Sequence, residues 1–109
     1  MTEAPRTLDQ ALGRVIARRR ELQKMPDGKH MTQANLAELL DTSTPRVRNF
    51  EQGRQAVPIT FLWQLAGLFH CRVTDLIDEA ETLLQAAGIT PTAPKPNAAM
   101  RNIGRSLGW

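Results

Sequence analysis

Apolar residues recur at helical spacing through most of the first 87 positions. The series Leu8, Leu12, Val15, Ile16, Arg19, Leu22 keeps the period with only Arg19 breaking it, and predicts a helix from Leu8 to about Lys24. Met25-Pro26-Asp27-Gly28 stops that helix, since Pro and Gly punctuate regular structure. Thr32 is a good N-cap for a second helix, Gln33 to Leu40, with Leu36, Leu39 and Leu40 facing inward and Ala37 packing closely. Asp41-Thr42-Ser43 is a tight break, and Ser43 can cap a third helix from Thr44 to Gln52. Pro45 falls in its first turn, where a missing N–H costs nothing. Val47 and Phe50 anchor it at i, i+3, and Gly53 ends it in the left-handed conformation.

Pro58 opens a fourth helix to Phe69, with Phe61 or Leu62, Leu65, Ala66, Leu68 and Phe69 available for burial. After His70-Cys71-Arg72, a fifth helix runs from Val73 or Thr74 to about Ala87. Its apolar positions (Val73, Leu76, Ile77, Ala80, Leu83, Leu84, Ala87) form an a/d seam over two heptads. Such a seam either docks on its own domain or meets a second copy. Two heptads exceed what the domain should need, so Leu76, Ala80, Leu83, Leu84 and Ala87 are expected at a dimer interface. Residues 88–97, with three prolines and no helical period, read as an extended linker. Residues 98–109 form a tail in which Met100, Ile103, Leu107 and Trp109 are either without a role or a docking peptide for a partner. Residues 1–7 are expected to be flexible. The fold class is therefore all-α, five helices across 8–87 and an extended C-terminal tail.

Composition adds limits. The 109 residues allow one domain, 41% of them apolar, so a core is possible. A single cysteine, Cys71, excludes an internal disulfide and fits a reducing compartment, so a cytoplasmic, nucleoid-associated protein is expected. No apolar run reaches the ~18 residues of a membrane span. Two scattered histidines and one cysteine make no metal site, and no cofactor is expected. No nucleophile–base arrangement and no phosphate-cradling glycine loop appears, so an enzyme is not expected. The net charge is +3, but its distribution says more. Residues 1–72 hold 11 Lys/Arg against 7 Asp/Glu, residues 73–83 hold four acids and no base, and 84–109 hold three bases and no acid. One surface suits a polyanion and another something else.

The most informative unit is residues 32–53, TQANLAELLDTSTPRVRNFEQG: two short capped helices joined by a short turn. The second has a polar outer face of Thr44, Pro45, Arg46, Arg48, Asn49 and Gln52. A helix with polar side chains near its N-terminus fits the major groove of duplex DNA, where Arg can bond a guanine edge, Asn an adenine edge, and an apolar carbon the thymine methyl.

The segments MTQANLAELL, TSTPRVRNFEQGR and VPITFLWQLAGLFHCRVTDLI resemble the lambda-repressor-like, Cro-like (XRE) helix-turn-helix family over about residues 8–79. The resemblance implies base reading by Thr44, Pro45 and Asn49, with Arg46 and Arg48 beside them. It implies phosphate contacts by Gln33, Ser43, Gln52, Arg54 and Gln55, and a pairing of Arg20 with Glu51 that supports the fold. About six extra residues separate Arg20 from Gln33, and Lys24, Lys29 and His30 there read as a solvated loop. Cys71 is expected in the core, His70 at a helix cap, and Trp63 in the core or at a dimer contact. The expected function is a sequence-specific transcriptional regulator, a homodimeric repressor on a pseudo-palindromic operator of double-stranded DNA. The alternative is an autoregulatory antitoxin whose tail binds a cognate toxin.

Overall fold

A computed structural model describes residues 3–91 and 93, and among them the chain forms five helices: α1 Leu8–Leu22, α2 Gln33–Leu39, α3 Thr44–Glu51, α4 Ile59–Leu68 and α5 Val73–Ala86. Local chemistry sets the starts. Thr7 Oγ1 accepts from Gln10 N at 3.1 Å, Thr32 and Asn35 form a reciprocal capping box, and Ser43 Oγ accepts from Arg46 N at 3.3 Å. The ends of α2, α3, α4 and α5 share one device. In each, the residue after the C-cap turns to positive φ, and the next N–H bonds back into the last turn, as in Thr42 N to Ala37 O and Arg54 N to Asn49 O. Asp41 and His70 fill that position in α2 and α4, at φ 53° and 56°, so His70 stands one residue past the cap, Phe69, in the turn that closes the helix.

The core is formed by Leu12, Val15 and Ile16 of α1, Leu36 and Leu40 around α2, Val47 and Phe50 of α3, Leu62, Leu65 and Phe69 around α4, and Leu76 and Ala80 of α5. Several expectations change. Leu39 is 53% exposed, because a seven-residue helix buries one stripe (Leu36, Ala37, Leu40) and Leu39 lies outside it. Leu22 is exposed too, and α1 stops there rather than at Lys24. The extra loop folds back on itself: Lys24 and His30 form an antiparallel bridge, Met25 N donates to Lys29 O, and Met31 N donates to Gln23 O. That return delivers Met31 into the core at 1% exposure, while Lys24, Lys29 and His30 stay in solvent.

The seam on α5 also needs correction. Leu76 and Ala80 are fully buried within the same chain, so neither can meet a second copy. The reason lies in α1, which needs a partner along its length and takes the first heptad of α5. The break at Arg19 in the apolar period of α1 belongs to the same contact. Its Nε donates to Glu79 Oε2 at 3.1 Å across to α5, and this bond holds the Arg19 pKa above its ordinary value. Leu83 and Leu84 are half-buried against the core, and Ala87 is exposed. Cys71 packs at the core edge as expected, and burial pushes its thiol pKa up, partly offset by the Arg19 charge. Trp63 is not in the core: it is 75% exposed. At the N-terminus, Pro5 is buried and the Arg14 guanidinium donates to the Glu3 carbonyl, so residues 3–7 lie along α1.

Two glycines set how α3 meets α1. A Cβ on Gly13 would stand 2.3 Å from the Phe50 carbonyl oxygen and 2.6 Å from that of Glu51. One on Gly53, at φ +72°, would stand 2.6 Å from Gln10 Cα. The last turn of α3 thus rests directly on the backbone of α1.

Candidate nucleic-acid interface

The outer face of α3 follows from its buried one. Val47 and Phe50 point inward at 1% and 2% exposure. At 100° per residue the opposite side carries Pro45, Arg48, Asn49 and Gln52. Pro45, Arg48 and Gln52 are exposed and Asn49 is half-buried. Pro45 sits in the first turn of α3, so its ring forms part of the outer surface without removing a helix hydrogen bond.

The angle of this face is fixed from beneath. Glu51 projects back from α3 and accepts from Arg20 Nε at 2.7 Å and Nη2 at 3.0 Å, a two-pronged pair with side chains 8% and 5% exposed. Arg20 Nη1 also donates to the Met31 carbonyl at 2.9 Å. Gln33, in the first turn of α2, donates from Nε2 to Glu51 Oε1 at 2.9 Å. One carboxylate therefore ties α1, α2 and α3 together, and the arginine ties in the returning loop. The Arg20–Glu51 pairing is the expected one. The Gln33 bond is an addition, since that side chain was expected to face a phosphate and its donor instead turns inward here.

The other expected contacts are distributed around this face. Ser43 is exposed at the start of α3, and Gln52, Arg54 and Gln55 are exposed at its end. Thr44 is half-buried in a groove shared with Arg20, Glu21, His30, Thr32, Gln33 and Ala34. Arg46 lies on the flank facing α4, with its Cζ 4.8 Å from the Phe61 ring centroid and 5.3 Å from that of Phe50. Sequence periodicity could not find this stack, because Phe61 comes from another helix. Met100, Ile103, Leu107 and Trp109 lie outside the described residues. Among the described residues, no group of His, Cys, Asp and Glu could hold a metal ion, and no helix is long and apolar enough to cross a membrane.

Known proteins add a family and a fold. The sequence model of the helix-turn-helix family matches residues 27–76, which span α2, α3, α4 and the start of α5. Two crystal structures of the clp gene regulator ClgR from Corynebacterium glutamicum are similar. One has a TM-score of 0.62 at 24% identity, covering 98% of this chain and 96% of that one. The other has a TM-score of 0.58 at 24% identity, covering 79% and 97%. At that identity the likeness shows the helical fold. No curated protein matches the chain.

Proposed function

Since residues 27–76 belong to the helix-turn-helix family, we propose that this chain is a transcriptional regulator that binds duplex DNA through α3 and acts by occupying an operator, with no chemical step. The observation that carries the reading is the open outer face of α3, with Pro45, Arg48, Asn49 and Gln52 turned away from the core while Glu51 is locked beneath it. In this reading Arg48 and Asn49 read base edges, Pro45 and Thr44 touch apolar groove atoms, and Ser43, Gln52, Arg54 and Gln55 hold the backbone on either side. Gln33 supports the angle of α3 and keeps its remaining N–H for a phosphate. The similar ClgR structures are of a gene regulator, which agrees with this assignment.

Selection of duplexes from a random pool tests it. The wild type should enrich one motif. Arg48→Ala and Asn49→Ala should each relax preference at one position, by about 1–3 kcal/mol per lost two-pronged contact. Equal losses on selected and scrambled duplexes would remove base reading from these residues.

The finer part of the proposal is a homodimeric repressor on a pseudo-palindrome, because one small module makes few base contacts. With Leu76 and Ala80 inside the core, the contact moves to α4. Ile59 and Trp63, at i, i+4, are 69% and 75% exposed, and beside them runs a groove lined by Trp63, Ala66, Gly67, Cys71 and Val73. A projecting ring next to a groove on one face suits a two-fold contact in which each copy fills the other. Trp63→Glu should convert dimers to monomers by sedimentation. Dimers lost instead in Ala87→Glu would return the contact to the outer end of α5.

A further inference from the structure

Arg46 is the third residue of α3 and sits between its outer face and α4. Phe50 and Phe61 stand 5.7 Å apart, tilted by 58°, and the guanidinium rests in the notch over both rings. Its backbone N–H bonds to Ser43 Oγ. Its guanidinium has no hydrogen bond or ion pair with the described residues. A half-buried cation is thus held by ring faces alone, and stacking leaves the in-plane N–H donors unspent.

We propose that Arg46 is a phosphate clamp on the DNA backbone rather than a reader of base edges, positioned by Phe61 and Phe50. The inference rests on the DNA-binding reading above and deepens it. Reaching a guanine on the groove floor requires an arginine extended outward from the helix. The stack holds this one back along the flank, and leaving it forfeits about 0.5–2 kcal/mol of cation–π attraction. Phosphate oxygens line the groove rim and can be met from the flank. The planar fork of donors matches a phosphate with two parallel bonds. Ser43 accepts the Arg46 backbone N–H with its oxygen, which leaves its hydroxyl hydrogen free to donate outward from an exposed position.

The test uses the full chain, a duplex enriched by the wild type from a random pool, and a scrambled duplex of equal length, each titrated across a salt series. Salt-dependent binding by the wild type comes first. If it binds neither duplex, the DNA-binding reading fails before any variant is made, and the clamp with it. Arg46→Ala should weaken binding to both duplexes by the same factor, about tenfold for a lost charged contact. The slope of log K against log salt should fall by about 0.9, and the preferred motif should not change. Phe61→Leu, which keeps the charge and removes the main ring, should give a smaller and equally uniform loss. Arg46→Lys, which keeps the charge without the fork, should retain the slope with reduced affinity, and it serves where alanine unfolds the chain. A loss confined to the enriched duplex, with preference relaxed at one base pair and an unchanged slope, would make Arg46 a base reader. Unchanged binding in all three variants would reduce the stack to fold support.

Discussion

Replacing Glu51 with alanine is expected to lower stability by about 3–5 kcal/mol, the usual result of stripping one partner from a buried ion pair. The magnitude follows from what is left behind. Arg20 is 7% exposed, and its Nε and Nη2 would lose both Glu51 oxygens, keeping only the exposed Glu21 carboxylate 3.7 Å from Nη2 and the Met31 carbonyl at Nη1. Gln33 would lose its acceptor at the same time. Each kcal/mol moves the midpoint of a domain this size by about 4–8 °C, so the thermal midpoint should fall by about 15 °C or more. The charge-free double variant, Arg20→Met with Glu51→Leu, should recover at least half of the loss, because paired burial of apolar groups removes the orphaned cation. Calorimetry of the single and double variants checks both statements. A change below about 1 kcal/mol in Glu51→Ala, well under the range for a buried pair, would mean the network is wet and does not hold α3.

The same network explains why function should follow stability here. Gln33 and Arg20 meet Glu51 from two different helices, so one carboxylate adds a polar lock to the apolar contact of Leu36, Ala37 and Leu40 with Val47. The outer face of α3 has few neighbours of its own. Its orientation depends on Glu51 beneath and on the backbone seat against α1. In the DNA-binding reading, loss of either should be felt as loose positioning of Arg48 and Asn49.

Much of this was legible in the sequence, and the exceptions share a cause. Thr32, Ser43 and Gly53 mark helix ends by chemistry confined to a few neighbouring residues, so the ends of α2 and α3 could be read to within about one residue. The pairing of Arg20 with Glu51 came from resemblance, since nothing local joins residues 31 apart. Where partners come from distant elements, periodicity failed. The heptads of α5 identify an apolar stripe but carry no information on whether α1 or a second copy covers it. Arg19 reads as an error in a pattern until Glu79 is placed opposite. Arg46 reads as one more polar residue on α3 until Phe61 arrives from α4. Met31 is buried because the loop pairs with itself, a feature that the local turn residues hint at and do not fix.

Gly13 offers the second large effect, and its sign runs against helix propensity. Alanine in place of a mid-helix glycine ordinarily stabilises by about 0.5–1 kcal/mol. At Gly13 the new methyl would lie 2.3 Å from one carbonyl oxygen and 2.6 Å from a second, both backbone atoms of α3. No rotamer change relieves that clash, so α3 must lift from α1. Overpacking against a fixed neighbour costs about 1–3 kcal/mol, and sometimes more, which exceeds the propensity gain. Gly13→Ala should therefore lose about 1–2 kcal/mol net, and Gly13→Val more, since its extra methyls add bulk and its branching adds a helix penalty. Gly67 supplies a control for space: it lies in the last turn of α4, and a Cβ there meets nothing within 4 Å. Gly67→Ala, measured at low protein concentration where copies are apart, should be slightly stabilising. The lift of α3 adds a readout that simple destabilisation lacks. At a temperature where Gly13→Ala is still folded, its affinity for an enriched duplex should fall while weak binding to scrambled duplex persists, because phosphate contacts tolerate a displaced helix better than base edges do. Equal stability of Gly13→Ala and the wild type would show that the seat of α3 on α1 is looser than these distances require.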